Sequence, residues 1–127
     1  MRILALDYGS ARCGCAISDP TGLLATPLEA VSDPASEHGL DALARLVDER
    51  RVEEVVVGLP VSLSGEEGAQ ATETRRFADR LAERLDVTVR TLDERFTTAL
   101  ARRTPGRLPE DSRAAAHLLE SYLARRR

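Results

Sequence analysis

The sequence predicts an α/β domain, one mixed β-sheet with helices packed on it. Two strand-like runs, "RILALD" (2–7) and "RCGCAIS" (12–18), are separated only by "YGSA", which suits a hairpin and antiparallel pairing. The later apolar runs at 53–60 and 87–94 are separated by a helix-period segment, which implies a crossover and parallel pairing. A chain of 127 residues is long enough to bury a proper core, so 1–127 reads as a single domain.

Each element has its own warrant. Residues 2–7 are apolar on both faces, as a central strand is. "DPTG" (19–22) is a turn, and "LATPLEAV" (24–31) a third strand that Pro27 confines to an edge or a bulge. Leu40, Leu43, Ala44 and Val47 repeat at helical spacing, which predicts a helix over 36–50. "EEVVVGLP" (53–60) is a short buried strand closed by Gly58 and Pro60. Ser64 with Glu67 fits a capping box, and Phe77, Ala78, Leu81, Ala82 and Leu85 give the helix that follows a buried stripe. "VTVRTLDE" (87–94) alternates as a strand does. A short helix follows residue 94, "RTPGRLP" (103–109) is a loop, and the last helix carries Ala114, Ala115, Leu118, Leu119, Tyr122 and Leu123 on one face.

Composition excludes several classes of function. With 43% hydrophobic and 31% charged residues the chain has a globular balance. Aromatics make up 3% and Trp is absent, so base-stacking platforms for single strands are not expected. A net charge of −3 argues against coating nucleic acid by charge alone. All 18 cationic side chains are Arg, and 11 of them are grouped at 75–84, 102–113 and 125–127. The face formed by Arg76, Arg80 and Arg84 reads as a solvated one, paired with Glu73, Asp79 and Glu83. No run approaches the ~18 apolar residues of a membrane span, and no signal peptide is evident. Cys13 and Cys15 alternate onto one face as small buried hydrophobes, and a cytoplasmic location is expected.

Three acids draw attention. Asp7 ends the first strand, Glu94 ends the last just after Asp93, and Asp111 opens the final helix on the stripe of Ala115, Leu118 and Tyr122. Clustered carboxylates beside an apolar surface repel one another, and a divalent cation removes that cost. Mg²⁺ and Mn²⁺ prefer such hard oxygen ligands. Ions on shared carboxylates activate water in phosphodiester cleavage, a chemistry that needs neither His nor Cys. Each acid also has a plain reading. Asp111 complements a helix dipole, Glu94 is a surface strand end with Asp93 competing for the inward position, and Asp7 belongs to an Asp-x-Gly turn.

The stretches "LALDYGSARCGCAISD" (4–19), "VVVGLPVSLSGEEGAQATETRRFADRLAERL" (55–85), "LDERFTTALA" (92–101) and "EDSRAAAHLLESYL" (110–123), in this order, resemble the YqgF/RuvX family of Holliday-junction-resolvase-like nucleases. The resemblance implies an RNase H-like mixed five-stranded sheet flanked by helices. It implies that Asp7, Glu94 and Asp111 are the catalytic, Mg²⁺- or Mn²⁺-binding acids, and by analogy it selects Glu94 over Asp93. It implies a nuclease acting on structured nucleic acid, in 5′-end maturation of pre-16S ribosomal RNA or in cleavage of branched DNA. The chain departs from the family between "DERFTT" and the last helix, where "ALARRTPGRLPE" (99–110) replaces a longer, often basic segment.

Contacts to the nucleic acid are assigned to Gly9, which lets backbone approach closely, to Ser10 and Arg12 as phosphate donors, and to Arg95 and Thr97 beside Glu94. Each has a local alternative: a turn glycine, a solvated strand start, a helix cap. Two other functions compete with the nuclease. One is a non-catalytic ribosome- or nucleic-acid-binding module. The other is an ATP-binding domain of the sugar-kinase and actin type, which clamps nucleotide between two lobes where this chain supplies one. A ribosomal RNA processor can act as a monomer, whereas symmetric junction cleavage requires a homodimer.

Overall fold

The computed structural model describes residues 1–60, 68–93 and 110–126, and of Glu110, Asp111 and Arg126 the backbone alone. The elements run β1 (Ile3–Asp7), β2 (Arg12–Ser18), β3 (Ala25–Ser32), α1 (Glu37–Glu49), β4 (Glu54–Leu59), α2 (Ala69–Arg84), β5 (Thr88–Asp93) and α3 (Glu110–Arg126). The strands form one five-stranded sheet in the order β3-β2-β1-β4-β5. β1 pairs antiparallel with β2, and β2 with β3, through tight turns. β4 joins β1 in parallel after the α1 crossover, and β5 joins β4 in parallel after α2. The mixed α/β sheet is therefore as predicted, with β1 at its centre and Pro27 on the edge strand β3.

The sheet separates two cores. Leu4, Leu6, Tyr8, Cys13, Cys15, Ile17, Val55 and Val57 project to one side, where Leu40, Leu43 and Val47 of α1 and Phe77, Ala78 and Leu81 of α2 cover them. Ile3, Ala5, Ala16, Val56 and Leu92 project to the other, beneath Ala115, Ala116, Leu118, Leu119 and Leu123 of α3. Strand alternation makes this division, and both cysteines fall on the α1–α2 side as buried free thiols.

Local chemistry sets the element ends. Ser36 caps α1 by accepting the Gly39 N–H at 3.0 Å. Gly39 is obligatory there, because a Cβ would lie 2.1 Å from the Asp33 carbonyl oxygen. Asp19 holds the β2–β3 turn by accepting the N–H groups of Leu23 and Leu24, and these bonds with the Thr21 hydroxyl hold its carboxyl at about 2. A bulge interrupts the β2–β3 ladder. Cys13 pairs with Val31 but Cys15 with Leu28, so Gly14 faces two residues of β3.

Three expectations are corrected. α2 is capped by the backbone of Gly68, and its helix starts at Ala69; the Ser64–Glu67 pair lies outside the described residues. On α2, Ala82 is exposed and Leu85 half-buried, because the buried stripe runs through Ala71, Thr74, Phe77, Ala78 and Leu81. On α3, Ala114 and Tyr122 are only half-buried while Ser112 and Ala116 are buried, since the helix is rotated so that Ser112 meets β3. The predicted short helix after residue 94 and the loop at 103–109 lie outside the described residues.

Candidate active site at the ends of the central strands

Asp7 is the last residue of β1, at the middle of the sheet, and is half-buried. It follows Ile3 and Ala5 in alternation, so it lies on the α3 side. Its cross-strand partner on β2 is Gly14. On β4, one step beyond the Leu6–Val57 pair, stands Gly58. The carboxylate is thus flanked on both neighbouring strands by residues without side chains. Glycine inside a strand marks a place where something else approaches closely. A hard carboxylate oxygen in such a bare row suits a hydrated dication better than it suits an apolar core.

The described end of β5 and the first turn of α3 reach the same end of the sheet as Asp7. Gly58 is level with Leu92 on β5, and β5 closes at Asp93, the residue before Glu94. Leu92 packs in the α3-side core, so alternation sends Asp93 to the opposite side. Asp93 is thereby removed as a competitor for the inward position. At the other flank, the Ser112 hydroxyl of α3 donates to the Leu28 carbonyl of β3. Leu28 pairs with Cys15, and Cys15 with Leu6, one residue from Asp7. At the far end, the Tyr122 hydroxyl bonds the carboxylate of Glu54, which pairs with Ile3. α3 therefore runs antiparallel to β1, with Asp111 in its first turn at the Asp7 end of the sheet. The positive end of the helix dipole falls there too, which favours anionic groups. Glu94 and the side chain of Asp111 lie outside the described residues. Among the described residues no group of three or more His, Cys, Asp or Glu comes together to hold an ion.

The hairpin between β1 and β2 carries the next candidates. A Cβ on Gly9 would lie 2.8 Å from the Arg12 carbonyl oxygen, so this glycine is required by the tightness of the turn itself. Ser10 and Arg12 are exposed at the mouth of the site. Arg95 and Thr97 lie outside the described residues. On the opposite face, Tyr8 stacks on Phe77 with ring centroids 4.5 Å apart. Burial, with Glu73 as the next cause, raises its hydroxyl above the ordinary range. The Cys13 thiol is pushed well above its ordinary value, first by its hydrogen bond with Cys15, then by burial, with the Asp7 charge adding to the effect. A thiol so held stays protonated and is no nucleophile.

Ser112 and Gly14 escaped the sequence reading. Gly14 had a visible signal, an isolated glycine inside an otherwise strand-like run. Ser112 had only its spacing, four residues before Ala116 and seven before Leu119.

Comparison with known proteins places the chain in a family and matches its fold. The family profile described as "RuvX: Holliday junction resolvase" matches residues 1–125. A Chloroflexus aurantiacus protein named "Putative pre-16S rRNA nuclease" is 42% identical over 134 residues, covering 98% of this chain and 88% of that protein. A Sulfurihydrogenibium protein of the same name is 38% identical over 133 residues, covering 98% and 90%. Among solved structures, T. thermophilus RuvC in complex with Holliday junction substrate superposes with a TM-score of 0.65 at 18% identity, over 99% of this chain and 95% of that one. The fowlpox virus Holliday junction resolvase superposes at 0.57 with 13% identity, over 98% and 99%. Fold and family together define a nuclease, a hydrolase of phosphodiester bonds, on a RuvC-like RNase H fold. The chain belongs to the RuvX family.

Proposed function

We propose that this nuclease is divalent-metal dependent and processes structured RNA, with maturation of the 5′ end of pre-16S ribosomal RNA as its reaction. The observation that carries the proposal is the placement of Asp7, in its glycine-flanked row, at the same end of the sheet as the first turn of α3. The substrate follows from relatives of about the same length that bear that name at 42% and 38% identity.

Asp7, Glu94 and Asp111 would hold Mg²⁺ or Mn²⁺, all three being hard oxygen donors. Such an ion supplies a water activated for attack and stabilises the departing oxygen. The chain's own residues do the rest. Gly9 and the exposed Ser10 bring the hairpin close to the nucleic-acid backbone, and Arg12 offers a two-pronged donor to a phosphate at the mouth. Arg95 and Thr97 are assigned backbone contacts beside Glu94. Water adds to phosphorus as the bond to the leaving oxygen breaks, and that oxygen takes up a proton.

A second reading, resolution of four-way DNA junctions, is favoured by the description of the matching family. Symmetric cutting by that route requires a homodimer, whereas RNA processing does not. Matched substrates decide between them: an RNA spanning the mature 5′ end of 16S ribosomal RNA and an immobile four-way DNA junction, each incubated with Mn²⁺ and sized alongside the protein. Cleavage of the RNA and not the junction is expected. Paired symmetric cuts in the junction by a dimer, with the RNA intact, would replace the first reading with the second. A protein that binds either substrate but cleaves neither, with no measurable Mn²⁺ affinity, would be a binding module.

A further inference from the structure

We propose that Ser112 is a positioning residue for the candidate site, seating the first turn of α3 on β3 and so fixing Asp111 against Asp7. The inference rests on the reading of Asp111 as an ion ligand and deepens it. Ser112 is fully buried, and its hydroxyl donates to the carbonyl of Leu28. Hydroxyl side chains in helices ordinarily bond back to their own helix. Thr72 and Thr74 of α2 do so, donating to the carbonyls of Gly68 and Gln70 at 3.2 and 2.8 Å. Ser112 instead reaches another element, 84 residues away in sequence.

The acceptor stands at a special place in the sheet. Leu28 is the β3 residue at which the β2–β3 register shifts, and the shift falls opposite Gly14, the partner of Asp7. Bulges bend a strand and increase its local twist, and they recur beside active sites. Here the bulge brings a β3 carbonyl to the helix that carries Asp111.

The other described contacts of α3 lie further along the helix. Its core residues Ala115, Ala116, Leu118, Leu119 and Leu123 make apolar contacts, which fix no direction. A second directional anchor is the bond from Tyr122 to Glu54, which also lies 3.6 Å from the Arg90 Nε. That anchor is ten residues further on, about 15 Å along the helix, and faces β4 and β5. The Ser112 bond is a directional contact at the site end. Ions are sensitive to shifts of about 0.5 Å in their donors, so a first turn free to slide weakens a site it does not touch.

The test compares Ser112→Ala and the near-isosteric, weakly donating Ser112→Cys with Leu123→Ala, a core truncation at the far end of α3. Mn²⁺ affinity is measured by calorimetry and the unfolding midpoint by circular dichroism. Both Ser112 variants are expected to weaken Mn²⁺ binding by about tenfold, the scale of losing a group behind a metal ligand. Leu123→Ala is expected to lower the midpoint at least as far while keeping wild-type Mn²⁺ affinity. Should Ser112→Ala fail to fold, Ser112→Cys decides. Ser112 variants that lower the midpoint yet bind Mn²⁺ as the wild type does would reduce the residue to a structural one. Asp111→Asn separates the two levels: if it binds Mn²⁺ normally, or if the wild type binds none, the ligand reading itself falls and takes this inference with it.

Discussion

The two faces of the sheet are built differently. Under α1 and α2 the strands present Leu4, Leu6, Ile17, Val55 and Val57, and the helices answer with Leu40, Leu43, Phe77 and Leu81. Each such side chain contributes about 1.5–3 kcal/mol when buried. Under α3 the same strands present Ala5, Gly14, Ala16 and Gly58 around Asp7, and the helix answers with Ser112, Ala115 and Ala116. The first face is filled by bulk. The second keeps its bulk at the Ile3 end and is thin at the Asp7 end, where the Ser112 bond to Leu28 holds the helix. Bulky side chains fill the whole of one face, and the candidate site lies on the other.

The largest effect expected is on cleavage, from Asp7→Asn. The substitution keeps the side chain's shape but removes the charge an ion needs. Activity is expected to fall at least about 100-fold, since even losing a group behind a ligand costs about 10–100-fold. The unfolding midpoint is expected to stay near that of the wild type, because no bulk is lost. Retained cleavage would sink the assignment of Asp7, and an unfolded variant would show that the carboxylate is structural.

The reciprocal experiment is Leu43→Ala on the bulky face. Leu43 is fully buried in α1, and its truncation is expected to cost about 2–5 kcal/mol, read from chemical denaturation. The Mn²⁺ affinity of the folded protein is expected to be unchanged. If it weakens as much as in the Ser112 variants, the two faces are mechanically coupled and the contrast between them fails.

The sequence carried the fold further than the site. Hydrophobic period placed α1 within a residue of its observed ends, and Pro27 marked the edge strand. The strand-end position of Asp7 was legible because the apolar run of β1 stops at it and Gly9 follows. What sequence hid is cross-element. The partners of Arg80 and Arg84 are Glu37 and Asp41 of α1 and not the α2 acids that helical spacing offered, because the crossover packs α1 beside α2. The Ser112–Leu28 bond depends on a bulge that no local pattern announces. Gly68 as the cap of α2 was masked by a better-looking box upstream, since glycine caps nearly as well as serine without a side chain to advertise it.

The smallest effect tests the seam that holds the two helices of the bulky face together. Arg84 bonds both Glu37 and Asp41, and Arg80 adds a bond to the Ala35 carbonyl at 2.6 Å and a pair with Glu37 at 3.4 Å. The hydrogen bond from Arg84, and then its charge, hold the Glu37 carboxyl below its ordinary value. A depressed carboxyl stabilises the fold above the unfolded value of about 4.3, and that contribution disappears as pH falls through the lower folded value. Glu37→Gln is therefore expected to lower the unfolding midpoint slightly at pH 7 in low salt. The gap should narrow in about 1 M salt, where exposed pairs are screened, and close in acid once the wild-type carboxyl is protonated. Mn²⁺ affinity should not move at any of these conditions, because the seam lies across the sheet from Asp7. A gap that survives both salt and acid would mean that Glu37 acts through packing and not through charge. A change in Mn²⁺ affinity would show that even the outermost contacts of the bulky face reach the thin one.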